Sequence, residues 1–182
     1  MKNIYLVGFM GTGKTTVGRL LARKKKCHFV DLDDLIEFRE RRRISDIFAQ
    51  SGEPYFRRIE KEVLKDVAKE KSFIVACGGG IVMDKENIEI MKNSGTVICL
   101  AARAGVILKR TSGFSHRPLL QVKDPEKQIQ LLMNLRATYY AKAHKTIDTS
   151  KISAEEVAQR IANLFLKKSQ PPKTSKSKKK KR

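Results

Sequence analysis

The stretch from Ile4 to Thr15, Ile-Tyr-Leu-Val-Gly-Phe-Met-Gly-Thr-Gly-Lys-Thr, constrains this chain more than any other segment. A four-residue apolar run cut off by glycine reads as a buried parallel strand, and residues 8–15 fit the spacing GxxxxGK[ST]. Glycines 8, 11 and 13 let the backbone curl so that its N–H groups face phosphate oxygens at a helix N-terminus. Gly11, Thr12 and Gly13 are therefore expected around the phosphates, with Thr16 just behind. Lys14 suits the β and γ phosphates, and the Thr15 hydroxyl suits Mg²⁺. A helix must follow, starting near Gly13. Val17, Leu20, Leu21 and Ala22 supply its apolar face, and the basic stretch Arg23 to Lys26 complements its C-terminal dipole.

Further apolar runs of about five residues recur at Phe73–Cys77 and Thr96–Leu100, with helical periodicity between and after them. Ile59, Val63, Leu64 and Val67 mark a helix over Phe56–Lys69, and Ile129, Leu132, Met133 and Leu135 mark one over Glu126–Tyr140. Ser153 and Glu156 form a capping box ahead of Val157, Ile161, Leu164 and Phe165. Strands alternating with helices imply an α/β fold of three αβα layers around a central parallel sheet of about five strands. Beyond Leu166 the pattern stops. Residues 168–182 offer no apolar face and read as a disordered basic tail behind a domain spanning 1–167.

The 182 residues suit one such domain. Nine basic residues and no acidic ones fall between Lys167 and Arg182, so residues 1–166 keep +11 of the formal +20. A basic body suits anionic ligands. The tail lacks interleaved aromatic residues, so a specific nucleic-acid partner is not expected, only salt-sensitive phosphate binding. No apolar run approaches the ~20 residues of a membrane span, and the N-terminus has no secretory core, so a cytoplasmic location follows as the expectation. Cys27, Cys77 and Cys99 lack paired spacing and read as buried reduced thiols. His28 and His144 show no metal-site spacing.

No acid closes the strand at Phe73–Cys77, so the metal's carboxylate must come from elsewhere. Phe29-Val30 runs into Asp31-Leu32-Asp33-Asp34, and in an extended segment Asp31 and Asp33 would face the same side. Both are read as functional. Asp34 suits a helix N-cap for Leu35–Arg39 as well as it suits a site role. Gly52-Glu53-Pro54-Tyr55-Phe56-Arg57 opens a helix with a guanidinium near its start, and Gly78-Gly79-Gly80 implies close backbone approach beside the phosphate loop.

Gly8–Thr15, Asp31-Leu32-Asp33, Phe56-Arg57, the triple glycine, Arg117-Pro118-Leu119 and Arg136–Tyr140 together resemble the shikimate kinase family, in order, over residues 2–166. The resemblance implies a P-loop fold like that of nucleoside monophosphate kinases, transferring the ATP γ-phosphoryl group to shikimate to give shikimate 3-phosphate. It implies a substrate-binding region over about 31–60 and a mobile lid over about 111–118, hinged at Gly113. Asp31 would assist Mg²⁺. Asp33 would hold substrate hydroxyls as candidate base, and Arg57 and Arg136 would clamp the carboxylate, with Gly79 and Gly80 presenting N–H groups. Lys14 and the lid's Arg117 would bear on the phosphates, Arg110 would flank the adenine, and Glu60 would orient the arginines. His116 is read as a lid surface residue, and Arg41, Arg42, Arg43 and Arg58 as solvated.

The sequence departs from the family pattern after Tyr140. The Ala and the acid usual four and five residues beyond that tyrosine are here His144 and Lys145. The adenine-side stretch Asp148–Ser153 also matches only loosely, and the protein is expected to act as a monomer. Gluconate and nucleoside monophosphate kinases share the loop and lid, and a nucleic-acid-associated NTPase is the rival from another class. Phe56-Arg57 with the triple glycine favours a small carboxylated polyol over a second nucleotide.

Overall fold

Five strands form one parallel sheet in the computed structural model, which describes residues 1–112 and 124–166. They are β1 (Asn3–Val7), β2 (His28–Asp31), β3 (Phe73–Ala76), β4 (Gly95–Ala101) and β5 (Lys145–Asp148), in spatial order β2-β3-β1-β4-β5. The connecting helices are α1 (Lys14–Lys25), α2 (Leu32–Glu40), α3 (Ile44–Lys69), α4 (Lys85–Ser94), α5 (Ala104–Thr111), α6 (Pro125–Tyr140) and α7 (Ala154–Leu166).

Central β1 is apolar at every position after Asn3 because both of its faces are covered. Ile4 and Leu6 point to one face, where they meet Ile74, Ile98 and Leu100 under Val17 and Leu21 of α1 and Val157 and Ile161 of α7. Tyr5 and Val7 point to the other, against Val75, Val97 and Cys99 under α2, α3 and α4. Each fully buried aliphatic side chain contributes about 1.5–3 kcal/mol, so this double-sided core carries the fold. The three layers are those expected.

All five strands run the same way, so their C-terminal ends share one edge. β1 delivers the phosphate loop there, β2 delivers Asp31, β3 the glycines 78–80, and β5 the turn at Thr149. The chain steps outward from β1 to β2, then crosses from β3 past β1 to β4, which opens a crevice at that edge.

Several expectations need correction. The helix expected from Phe56 begins at Ile44, and it breaks at Gly52, whose φ of 78° and ψ of 170° interrupt it before Pro54. Glycine and proline together read as a helix start, and the turns at 44–51 were not legible. Asp34 is not a cap: α2 starts at Leu32, and Asp31 caps it by accepting the Asp33 N–H at 3.1 Å. Asp31 and Asp33 therefore approach one another through a strand-to-helix turn, not through strand alternation. Arg42 is not simply solvated, since it donates to Glu40 Oε2 at 2.8 Å and to Gln50 Oε1 and Ser51 Oγ at 3.2 Å. Cys27 is only half-buried, unlike Cys77 and Cys99.

Other expectations hold in detail. Gly13 is the N-cap of α1. In the capping box, Glu156 N–H donates to Ser153 Oγ at 3.1 Å and Ser153 N–H to Glu156 Oε2 at 2.9 Å. The departure at His144 has a structural use: its N–H donates to Val97 O, and its Nδ1 accepts the Val97 N–H, both at 2.9 Å. This splice onto β4 fixes the chain between α6 and β5. Most of the expected lid, with Gly113, His116 and Arg117, and the tail at 168–182 lie outside the described residues.

Candidate active site

The crevice is a cleft of about 1200 Å³ that runs from the phosphate loop to the triple glycine. Every predicted site residue among those described lines it: Gly11, Thr12, Gly13, Lys14, Thr15, Thr16, Asp31, Asp33, Arg57, Gly79, Gly80, Arg110 and Arg136.

At one end the loop curls as its glycines require. Gly8 adopts φ 137°, and a Cβ there would lie 2.1 Å from Leu100 O, so no side chain fits. Lys14 Nζ donates to Gly8 O at 2.9 Å and Phe9 O at 3.1 Å, which holds the ammonium against the loop. Thr15 Oγ1 donates to Asp31 Oδ2 at 2.8 Å. A hydroxyl and a carboxylate thus converge at the α1 N-terminus, a hard oxygen pair that fits Mg²⁺, which takes one or two carboxylates along with water and phosphate oxygens. Among the described residues no group of three or more His, Cys, Asp or Glu side chains is placed to hold a metal ion, here or elsewhere.

At the other end each glycine of the triple lies against a different functional group. A Cβ on Gly78 would sit 2.9 Å from both Asp33 Oδ1 and Glu60 Oε1. One on Gly79 would sit 3.8 Å from Arg136 Nη1, and one on Gly80 would sit 2.5 Å from Arg57 Nη2. Backbone without side chains at Gly78 and Gly80 lets two carboxylates and the Arg57 guanidinium crowd one strand end, with Arg136 at ordinary contact distance from Gly79. Arg57 is aimed by Glu60 Oε2 at 2.8 Å and by Glu53 Oε1 at 3.0 Å, a charge-assisted pair of anchors on its own helix. Arg136 lies over the Phe9 ring at 5.7 Å, and Tyr140, one turn on, donates to Gly79 O at 2.7 Å. Burial pushes the Tyr140 hydroxyl up to about 12, so it stays a donor.

Electrostatics separate the acids. Burial and the Asp31 carboxylate, opposed by Lys14, push Asp33 up to about 6. Glu60 is buried, its Oε1 has no hydrogen-bond partner among the described residues, and burial raises its proton affinity against the pull of Arg57. The two buried thiols are held in the protonated, weakly nucleophilic form. Burial raises Cys77 well above the usual range and Cys99 to about 11.

Sequence reasoning missed part of the lining. Ile44 and Phe48 form an apolar wall, with Phe48 packed on Phe56 at 4.8 Å between ring centroids. Their i, i+4 spacing was the available signal, hidden by the break at Gly52. On the nucleotide side Thr149 and Ile152 were also missed, and no local motif marks them.

A sequence profile described as shikimate kinase matches residues 10–165. A shikimate kinase of Thermodesulfovibrio yellowstonii is 46% identical over 161 residues, 88% of this chain and 93% of the relative. One of Thermoanaerobacter pseudethanolicus is 42% identical over 167 residues, 92% of this chain and 98% of the relative. The solved shikimate kinase of Acinetobacter baumannii in complex with shikimate superposes with a TM-score of 0.88 at 40% identity, covering 94% of this chain and 96% of that one. Profile, relatives and fold coincide over the residues that build the cleft, and the chain belongs to the shikimate kinase family.

Proposed function

We propose that the cleft performs the family's reaction, transfer of the ATP γ-phosphoryl group to the 3-hydroxyl of shikimate, with the residues above in distinct roles. The observation that most supports this reading is the pair of guanidiniums, Arg57 and Arg136, set against Gly80 and Gly79 beside the phosphate loop. Two forks converging on one strand end suit a small planar carboxylate.

Asp33 holds the attacking hydroxyl and takes its proton. Phosphoryl transfer is chiefly positioning and charge neutralisation, so aligning that oxygen matters as much as the proton. A base near 6 is largely ionised at neutral pH yet close enough to it to share a proton in the transition state. Lys14 neutralises the phosphates, joined by Arg117 of the expected lid over 111–118, and Arg110 flanks the adenine. Gly79 and Gly80 offer their N–H groups to the bound acid. Thr15 and Asp31 would hold Mg²⁺, which when bound neutralises charge on the phosphates. Glu60 holds Arg57 in its working orientation. The protein is expected to work as a cytoplasmic monomer. Among the described residues no helix is long and apolar enough to cross a membrane.

The test is ADP release with ATP and Mg²⁺, offering shikimate, gluconate, CMP and AMP in parallel. Turnover with shikimate alone is expected, and Arg57→Ala and Arg136→Ala should each raise the KM for shikimate at least tenfold. Silence with shikimate together with turnover of another acceptor would overturn the assignment.

A further inference from the structure

We propose that the Thr149 hydroxyl is a positioning group for ATP, the joint that locks the turn after β5, Arg110 and the phosphate loop into one nucleotide template. This inference rests on the nucleotide half of the reading above and goes beyond it. Thr149 is buried, 2% exposed, and uses every polar atom it has. Its N–H donates to Ala101 O at 2.8 Å, which ties the turn to the end of β4. Its carbonyl accepts from Arg110 Nη2 at 2.8 Å, and its Oγ1 accepts from Arg110 Nη1 at 3.0 Å. The hydroxyl proton lies between two acceptors, Ala101 O at 3.1 Å and Thr12 O at 3.2 Å.

The connection continues into the catalytic loop. Thr12 is buried and donates through Oγ1 to Phe9 O at 2.7 Å, and that same carbonyl accepts from Lys14 Nζ at 3.1 Å. With the Thr149 proton on the Thr12 side, a hydrogen-bonded path runs from Arg110 through Thr149, Thr12 and Phe9 to Lys14. The guanidinium, otherwise exposed, is anchored by both terminal nitrogens on Thr149, and Nη1 also makes a longer contact of 3.4 Å to Gly11 O of the loop. A hydroxyl is the group this joint needs, because it accepts from a guanidinium and donates to a carbonyl at once. Valine has the same shape and can do neither. Ile152 and Ser153, just beyond, line the nucleotide end of the cleft, so the turn that Thr149 fixes also shapes the wall facing the base.

The shikimate end hangs mostly on other supports and shares only Phe9, whose carbonyl serves the path and whose ring faces Arg136. Arg57 is held by Glu53 and Glu60, and Arg136 lies against Phe9 and Gly79. Loss of the joint should therefore fall on one substrate.

The test measures both KM values, kcat and the melting temperature for Thr149→Val and Thr149→Ser, with Arg110→Ala singly and in combination with Thr149→Val. The expected result is a KM for ATP raised about tenfold in Thr149→Val, with the KM for shikimate and the calorimetric shikimate affinity within twofold of the unchanged protein. Thr149→Ser should stay within about twofold for ATP, and adding Thr149→Val to Arg110→Ala should raise that KM less than the two single effects multiplied. An unchanged KM for ATP, equal rises for both substrates, or damage in Thr149→Ser equal to that in Thr149→Val would each overturn the proposal. If Thr149→Val does not fold, Thr149→Ala carries the same expectations and the same refutations. Failure of the parent reading shows separately, as absence of shikimate turnover in the unchanged protein.

Discussion

Asp33, which we propose as the base, sits where burial and a neighbouring carboxylate raise its proton affinity. Its carboxyl ordinarily titrates near 3.8, and in the fold it is pushed up to about 6. The folded state therefore binds more protons between those values, so its stability falls as pH rises from about 4 through 6 and then levels off. The cost above pH 6 is at most about 3 kcal/mol, from ~1.4 kcal/mol per pH unit of displacement. Asp33→Asn should melt higher than the unchanged protein at pH 8, with the gap closing below pH 4, while turnover drops at least a hundredfold. In the unchanged protein kcat/KM should fall about tenfold per pH unit below 6, and thermal melts across pH 4–8 read the stability side. A variant that is both inactive and less stable at pH 8 would mean that the carboxylate helps to hold the fold.

The triple glycine permits a comparison between neighbours at the same scale. A methyl on Gly80 would lie 2.5 Å from Arg57 Nη2, the far end of a flexible side chain, whereas one on Gly79 makes only ordinary contacts of 3.6–3.8 Å. Gly80→Ala should therefore keep its melting temperature within a few degrees and raise the KM for shikimate on the order of tenfold, because the guanidinium must move. Gly79→Ala should change that KM less than threefold. Equal effects of the two would indicate that backbone freedom, not room for the arginine, sets the need for glycine here.

At the scale of elements, the break in α3 aims Arg57, the arginine we propose as a carboxylate clamp. Gly52, at φ 78° and ψ 170°, occupies a region reserved for glycine, and Arg57 stands five residues beyond it in the first turns of the resumed helix. Gly52→Ala should cost about 1–3 kcal/mol in denaturant unfolding and raise the KM for shikimate, since both halves of α3 reorient. The same break shows what a sequence can and cannot convey. The strand, loop and α1 around Lys14 and the capping box at Ser153 were legible because each is a local rule with fixed spacing. The double duty of Asp31, capping α2 while receiving Thr15 Oγ1, was not, because it depends on where the helix starts. Thr149 was invisible for a different reason: its partners, Thr12, Ala101 and Arg110, are 39 or more residues away in the chain.

For the molecule as a whole, the charge is divided between a basic domain and a far more basic end. Residues 167–182 carry nine positive charges, whereas the groups that line the cleft fall between Met10 and Val157. Catalysis by those groups asks nothing of the terminal charge beyond a weak attraction for anions, which 0.15 M salt screens over about 8 Å. A chain ending at Leu166 should therefore keep its kcat and both KM values within twofold at physiological salt. Its retention on heparin or nonspecific DNA should fall, and the salt dependence of that binding should flatten, because every phosphate left without a cation takes about 0.9 off the logarithmic slope. Equal salt slopes for the two chains would assign polyanion binding to the +11 carried by residues 1–166. A loss of turnover in the shorter chain would instead make the terminal residues part of the working enzyme, contributing charge to the nucleotide end of the cleft.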